Sequence, residues 1–167
     1  MKKIGLISDT HSAIHPKLFD FFKDVDEIWH AGDFGDVKVV ETLQKFKRLR
    51  GVYGNIDGTI IRQIFPQIDI FWCERMKIVM MHIGGYPGKY TPEAFATIQK
   101  ERPGIFISGH SHILKVIYDK KNKLLHLNPG AAGNYGIHHV ITMLRFTIDE
   151  EEIKDLEIFE AERSHSL

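Results

Sequence analysis

The chain has 167 residues, with 22 Lys+Arg balanced by 22 Asp+Glu, a hydrophobic fraction of 43% and a charged fraction of 26%. This composition excludes a disordered chain, and the length is enough for one domain with its own core, so we expect a single domain over residues 1–167. The zero net charge argues against a nucleic-acid-binding or membrane-surface protein, and the one cysteine, Cys73, excludes an internal disulfide and favours a reducing compartment.

The first third of the chain alternates short apolar stretches with amphipathic ones. The pattern predicts strands over Lys3–Ser8, Glu27–Ala31 and Arg50–Tyr53, and helices over Ile14–Asp24 and Val37–Lys47. Because this order is βαβαβ, we expect a parallel sheet with right-handed crossovers.

The remainder of the chain favours antiparallel strands around one helix. Thr91 is a predicted N-cap followed by Pro92 at the first helical position, so a helix is expected to run to about Lys100. The apolar stretches predict strands over Gln63–Cys73, Arg75–His82, Gly104–Ser108, Leu114–Tyr118, Leu124–Leu127, Val140–Thr147 and Ile153–Phe159. The predicted fold class is therefore α/β, with two stacked mixed β-sheets and the helices outside them.

Acidic, amide and histidine side chains follow five of the predicted strands directly. They are Asp9, His11, Asp33, Asn55, His82, His110 and His112. Because the loops at the carboxyl ends of strands in α/β sheets converge on one crevice, we expect these side chains to meet there. Two pairs among them are separated by one residue, and in an extended stretch such residues point the same way, so each pair is expected to aim at one cluster.

These residue types indicate a metal site with more than one ion. Aspartate and histidine together suit Mn²⁺, Fe²⁺, Zn²⁺ or Ni²⁺. Seven ligands are too many for one tetrahedral ion, but they suit two ions bridged by a carboxylate, and two metals about 3.5–4 Å apart form the usual clamp for phosphoryl transfer. Gly32, Gly54 and Gly109 each precede a proposed ligand, where glycine permits a sharp turn or a close approach of the backbone.

The ordered motifs Asp9-Thr10-His11, Gly32-Asp33, Gly54-Asn55, His82 and Gly109-His110-Ser111-His112 resemble those of the calcineurin-like metallophosphoesterases. The short chain and Asn128-Pro129-Gly130 look like the small bacterial and archaeal phosphodiesterase branch of that family, which is also similar to a retromer subunit of eukaryotes. The resemblance spans about Lys2 to Gly130, and it implies a four-layer α/β sandwich, the metallophosphoesterase fold.

Carried over by position, the resemblance also implies ligand roles. A first divalent ion would be held by Asp9, His11 and His112, a second by Asn55, His82 and His110, and Asp33 would bridge the two. The implied reaction is hydrolysis of a phosphate ester by a hydroxide between the ions, with Asp33 and Asn55 as catalytic residues and Asn55 also able to hold a substrate oxygen. We expect two Mn²⁺ ions, with Ni²⁺, Fe²⁺ or Zn²⁺ as alternatives, and a small phosphodiester as substrate.

The chain departs from the family pattern at two positions. Many members have, directly after the Gly-Asn pair, a histidine that protonates the leaving group, whereas this chain has Ile56. General acid catalysis typically contributes about 10²–10⁴-fold, so we predict that diesters with good leaving groups are hydrolysed well and alkyl phosphomonoesters poorly. Small-branch members often have a second histidine where this chain has Gly84, a difference expected to loosen substrate contacts or to open the site.

Several residues around these motifs have two interpretations. Gly84 and Tyr86, in the glycine-rich stretch Gly84–Lys89, are candidates for substrate binding, and this stretch is a candidate lid. His138 is a further candidate on the rim of the site, with the start of a strand as the equal alternative. His30 is predicted to be a buried structural histidine, and Asp57 a loop residue with a supporting role towards the ligands.

Other functions compete with the phosphodiesterase. The alternative is a non-catalytic metal-binding scaffold or interaction module on the same fold, although ligand-competent side chains at all seven positions favour an enzyme. The absence of a basic stripe argues against a nuclease. Because no apolar run is long enough for a signal peptide or a bilayer span, a cytoplasmic protein without a membrane partner is expected, and the edge strand predicted at Val140–Thr147 leaves a homo-oligomer open.

Overall fold

The computed structural model describes residues 1–163, which form two five-stranded sheets with short helices outside them. In chain order the elements are β1 (Lys2–Ile7), α1 (Leu18–Phe21), β2 (Glu27–His30), α2 (Val37–Phe46), β3 (Arg48–Gly51), α3 (Thr59–Ile64), β4 (Ile68–Cys73), β5 (Met76–Met81), α4 (Pro92–Glu101), β6 (Ile105–Ile107), β7 (Leu114–Asp119), β8 (Leu124–Pro129), β9 (Val140–Asp149) and β10 (Glu152–Glu162).

Both sheets are mixed, as the sequence predicts. The first has the order β10-β9-β1-β2-β3, in which β1, β2 and β3 are parallel and β9 is antiparallel to its two neighbours, β1 and β10. The second has the order β4-β5-β6-β8-β7, with β5, β6 and β8 parallel between antiparallel edge strands. The prediction of an edge strand at Val140–Thr147 is wrong, because β9 pairs with β1 on one side and β10 on the other.

Apolar side chains on the facing surfaces of the sheets form the central core. Leu6 and Trp29 from the first sheet pack there with Ile78 and Ile107 from the second, and all four are fully buried. A second core lies between the first sheet and helices α1, α2 and α3, and a third lies between the second sheet and α4. The layers are therefore helix, sheet, sheet, helix, which is the four-layer sandwich that the family resemblance implies.

Two of the predicted helices are present, whereas the first is much shorter than predicted. Helix α2 begins after Asp36, whose carboxylate accepts the Lys38 N–H at 2.9 Å, and α4 begins after Thr91 as expected. The helix predicted over Ile14–Asp24 shrinks to the four residues of α1, because the segment closes into tight turns before β2 begins. Within residues 1–163, no helix is long and apolar enough to cross a membrane.

The strand predicted over Gln63–Cys73 is wrong in its first half. Residues Thr59–Ile64 form α3, and only Ile68–Cys73 forms the strand β4. Pro66 separates the two, since a proline has no N–H to donate to a sheet ladder. The helical spacing of Ile60, Ile61 and Ile64 is the signal for α3, although only Ile61 is buried.

Candidate metal centre

The carboxyl ends of β1, β2, β3, β5 and β6 meet at one end of the sandwich and bring the predicted site residues together. Their side chains form two groups whose ligand atoms lie within 4.8 Å of one another. These groups are Asp9, His11 and His112, and Asp33, His82 and His110. The division between the two groups is the one that the family resemblance implies.

Asp33 lies between the two groups. Its Oδ2 atom is 3.4 Å from His11 Nε2 in the first group and 3.1 Å from His82 Nε2 in its own. Asn55 joins the second group, because its Oδ1 atom lies 3.1 Å from His110 Nδ1. One carboxylate oxygen is therefore placed where it could be shared by two ions.

The arrangement passes a geometric test for divalent ions. Asp9 Oδ1, His11 Nε2 and His82 Nε2 are buried and have no hydrogen-bond partner among residues 1–163. Instead they face other ligand atoms, with Asp9 Oδ1 lying 3.2 Å from His112 Nε2, 3.7 Å from His11 Nε2 and 3.8 Å from His82 Nε2. Two atoms bound to one ion at about 2.1 Å lie about 3.0–3.4 Å apart, so the shortest of these separations are those of ligands that share an ion.

Left-handed backbone conformations aim these side chains. Positive φ angles occur at Asp9 (54°), His11 (44°), Asp33 (61°), His110 (69°) and His112 (61°). Non-glycine residues in this region cluster at functional sites, where the surrounding structure holds them. The expectation that the closely spaced pairs are extended is therefore wrong for both pairs. The expectation that each pair shares a cluster holds for Asp9 and His11 but is wrong for His110 and His112, whose rings join different groups.

Glycines allow the loops to approach one another. Gly32 has a φ of 101°, and a Cβ atom there would lie 2.6 Å from His82 Nδ1. At Gly54 a Cβ atom would collide with the Asp33 carboxylate. Larger residues at either position would push a ligand away, which explains why a glycine precedes each of Asp33 and Asn55.

Hydrogen bonds fix the orientation of the ligand rings. His82 Nδ1 donates to the carbonyl oxygen of Ala31 at 2.8 Å, so in the neutral ring the lone pair of Nε2 is directed towards Asp33. His138 Nε2 donates to the Gly133 carbonyl at 2.8 Å, so its Nδ1 can accept from His112 Nδ1 at 3.1 Å. By this chain of donors, His112 also presents an unprotonated Nε2 to the site. Such outer partners typically set the tautomer of a metal ligand.

Asp57 and His30 hold the loops in place. The Asp57 carboxylate accepts the backbone N–H groups of Asp33 at 3.0 Å, Gly35 at 3.0 Å and Gly54 at 2.8 Å. His30 is fully buried, accepts the Gly32 N–H at Nδ1 and lies 3.0 Å from Thr10 Oγ1 at Nε2. Burial lowers the pKa of His30 to about 3, so the ring is neutral, as expected of a structural histidine.

The carboxylates of the site are ionised at neutral pH. Burial opposes ionisation of Asp9, but its contacts with His11 and His112 outweigh burial and hold the pKa of that carboxyl far below its usual range. Burial also opposes ionisation of Asp33, and its contact with His82 outweighs this and lowers the pKa. Burial lowers the pKa of His82, yet contact with Asp33 and the charge of Asp9 raise it overall. The centre thus concentrates negative charge that a cation would neutralise.

Comparison with known proteins places this geometry in a family. A model of the calcineurin-like phosphoesterase superfamily domain matches residues 1–151. The chain belongs to this superfamily. It is 32% identical over 133 residues to a probable metallophosphoesterase of Methanothermobacter thermautotrophicus, covering 77% of this chain and 76% of that protein.

Solved structures share this fold at low sequence identity. A single-site variant of Vps29 from Entamoeba histolytica has a TM-score of 0.76 and 18% identity, covering 96% of this chain and 98% of that one. A structure described as a novel archaeal phosphodiesterase has a TM-score of 0.71 and 20% identity, covering 94% of this chain and 99% of that one. The four-layer sandwich is therefore the fold of the calcineurin-like phosphoesterases.

In this calcineurin-like phosphoesterase, the candidate substrate-binding residues lie in different surroundings. Gly84 is buried, and a Cβ atom there would lie 2.5 Å from Phe106 Cζ, so a histidine would not fit without movement of that ring. Tyr86 lies under the Lys115 ammonium group at 4.5 Å. His138 is half-buried and contacts His112. Two hydrogen bonds hold the start of the stretch Gly84–Lys89 in place: Ser108 Oγ donates to the Gly85 carbonyl oxygen, and the Thr91 N–H donates to the Gly84 carbonyl oxygen.

Two residues at the mouth of the centre bear on substrate handling. The Ile56 N–H donates to Asp33 Oδ1 at 3.1 Å, and its side chain is 44% exposed. Tyr135 stacks on His11 with ring centroids 5.0 Å apart and is 68% exposed. The sequence signal for Tyr135 is weak, because it follows no strand and lies in a glycine-containing loop far from His11 in the chain.

Proposed function

We propose that this protein is a metal-dependent phosphodiesterase that binds two divalent ions, Mn²⁺ first among them and Ni²⁺, Fe²⁺ or Zn²⁺ as alternatives. The observation that carries this proposal is the pair of ligand groups joined by Asp33 Oδ2, with buried ligand atoms that have no hydrogen-bond partner in the described part of the chain. The likeness to a probable metallophosphoesterase and to a structure described as an archaeal phosphodiesterase supports the same reaction class.

The residues of the centre would have separate roles in binding the ions and in orienting the phosphate. Two bound divalent ions would neutralise charge on the phosphoryl oxygens and lower the pKa of bound water towards neutrality. Asp33 would hold both ions at a fixed separation through its shared oxygen. Asn55 directs Oδ1 towards His110, so its amide nitrogen is free to donate a hydrogen bond to a phosphoryl oxygen.

The side chain at position 56 sets the preference among phosphate esters. An isoleucine has no proton to transfer, so the leaving group must depart without help from this position. Aryl phosphodiesters, whose leaving groups are weakly basic, should therefore be better substrates than alkyl phosphomonoesters. We propose a small phosphodiester as the substrate and a cytoplasmic location, with which the free, buried Cys73 is consistent.

Turnover by metal-stripped protein tests this function. Mn²⁺, Ni²⁺, Zn²⁺, Fe²⁺ or Mg²⁺ would be added to separate samples, and each would be tested with an aryl phosphodiester and an alkyl phosphomonoester. We expect activity on the diester that depends on an added ion and is lost in Asp33→Asn. Absence of turnover with every ion, together with unchanged stability of Asp33→Asn, would instead support a non-catalytic scaffold.

A further inference from the structure

Two separate cavities open beside the candidate metal centre. The Asn55 cavity, of about 540 Å³, is lined in part by Asn55 and His82. The His112 cavity, of about 570 Å³, is lined in part by His110 and His112. No residue lines both cavities. Each volume is within the range of about 300–1,000 Å³ that typically holds an organic ligand.

The Asn55 cavity has a planar, cationic wall. The Arg62 guanidinium lies over the Tyr53 ring at 4.5 Å and donates from Nε to the Asp57 carbonyl at 2.6 Å. Within residues 1–163 the guanidinium contacts only neutral groups, namely the Tyr53 ring and the carbonyl oxygens of Asp57, Gly54 and Asn55, so no carboxylate there balances its charge. A stacked guanidinium and phenol ring form a surface suited to a flat aromatic group.

The His112 cavity has an aromatic and apolar wall. Tyr135 packs one face against His11, while most of its surface remains exposed. Ile137, in the same loop, is 93% exposed and lines the same cavity. Arg163 donates to the carbonyl oxygens of Gly136 and His138 and so ties this loop to the end of β10. The exposed side chains of the loop are thereby held beside His112.

We propose that these two cavities receive the two ester arms of one phosphodiester, each arm carrying a flat aromatic group of about nucleoside size. This inference rests on the proposed function, because it requires the phosphate to lie at the centre between the cavities. A phosphomonoester has one arm and would leave one cavity unused. A diester with a methyl group as one arm would also leave one cavity largely unfilled.

Three phosphodiesters with the same 4-nitrophenol leaving group test this specificity on the Mn²⁺-loaded full chain. The second arm is a methyl group, a phenyl group or a thymidine 5′-linked group. We expect kcat/KM to rise at least about 10-fold from methyl to thymidine, mainly through a lower KM. Equal values for the methyl and thymidine esters would overturn the two-arm substrate while leaving a phosphodiesterase intact, whereas no hydrolysis of any ester would count against the proposed function itself.

Variants in each cavity sharpen the test. Tyr135→Leu removes the stacking surface of the His112 cavity, and Arg62→Gln removes that of the Asn55 cavity. The thymidine ester should lose about 10-fold in kcat/KM in both variants, while the methyl ester should be affected by only one of them. Indifference of the thymidine ester to either variant would contradict the proposal.

Matched controls separate stacking from damage to the fold or the metal centre. Tyr118→Leu removes an exposed tyrosine from β7, away from both cavities, and should leave every kcat/KM unchanged. Tyr135→Phe and Arg62→Lys should retain metal content and stability, with Tyr135→Phe keeping the preference for the thymidine ester. Faster cleavage of a single-stranded oligonucleotide than of the thymidine ester, with strong salt dependence, would instead indicate a polymer substrate and overturn the proposal.

Discussion

The carboxylate of Asp57 accepts the backbone N–H of Asp33 at 3.0 Å, so a side chain from the loop after β3 fixes the residue that lies between the two ligand groups. The same carboxylate accepts the N–H of Gly54 at 2.8 Å, directly before Asn55. One buried side chain therefore positions both Asp33, which lies between the two ligand groups, and the loop that carries Asn55 of the second group.

Replacing Asp57 should weaken metal binding. In Asp57→Asn, one acceptor oxygen becomes an NH₂ group that faces backbone donors, which should lower the free energy of unfolding by about 1–3 kcal/mol. Loss of an outer partner typically reduces metal affinity about 10–100-fold, which calorimetric titration with Mn²⁺ would measure. Asp36→Asn is the matched control, because Asp36 accepts a backbone N–H only at the start of α2. Equal Mn²⁺ affinity in the two variants would refute this role.

His138 should act on metal affinity through His112. His138→Leu removes the acceptor for His112 Nδ1–H, so that ring loses its fixed orientation and the Mn²⁺ affinity should fall about 10–100-fold. His138→Gln retains an acceptor and should restore part of the loss. His139→Leu changes the neighbouring histidine and should leave affinity unaltered. A direct substrate contact by His138 would instead raise KM at unchanged Mn²⁺ affinity.

A histidine at position 56 should add monoester activity. Ile56→His places a proton donor at the exposed mouth of the centre, beside Asp33. Because an alkoxide leaving group needs protonation more than a phenoxide does, turnover of an alkyl phosphomonoester should rise at least about 10-fold, with a smaller effect on an aryl diester. Ile56→Gln adds polarity without a titratable group and serves as the control. If both variants change the monoester rate equally, the absence of a general acid at position 56 does not limit that rate.

Acid should destabilise the metal-free protein through His30. Its folded pKa of about 3 lies below the unfolded value of about 6.5, so the unfolded chain binds a proton first and stability falls as the pH drops below about 6.5. The slope should be about 1.4 kcal/mol per pH unit for this group. Urea unfolding of wild type and His30→Gln between pH 7 and 5, with a chelator present, should show a shallower slope in the variant. Parallel slopes would contradict the lowered pKa of folded His30.

The strand ends that form the centre could be predicted from the sequence because the signal is local. Short apolar stretches end in Asp9, Asp33 and His82, and these strands are held by backbone pairing that does not depend on the ligands. Gly32 and Gly54 also mark the close approaches correctly. The two-sheet fold followed from the same pattern, since the parallel units and the hairpins occupy separate parts of the chain.

The aim of individual side chains could not be predicted in this way. His110 and His112 have left-handed backbone angles and join different ligand groups, whereas Asp9 and His11 have similar angles and join the same group, so spacing alone does not determine where each side chain points. Tyr135 contacts His11, although more than a hundred residues separate them in the chain. Arg62 lines the Asn55 cavity from α3, a helix that was not predicted because the apolar pattern of Gln63–Cys73 favoured a strand. These contacts depend on tertiary packing of loops.

Anomalous X-ray diffraction from crystals of the Mn²⁺-loaded protein tests the dinuclear centre most directly. The account predicts two anomalous peaks about 3.5–4 Å apart, one contacted by Asp9, His11 and His112 and the other by Asn55, His82 and His110, with Asp33 touching both. A single peak, or peaks away from these side chains, in crystals grown at saturating Mn²⁺ would contradict it.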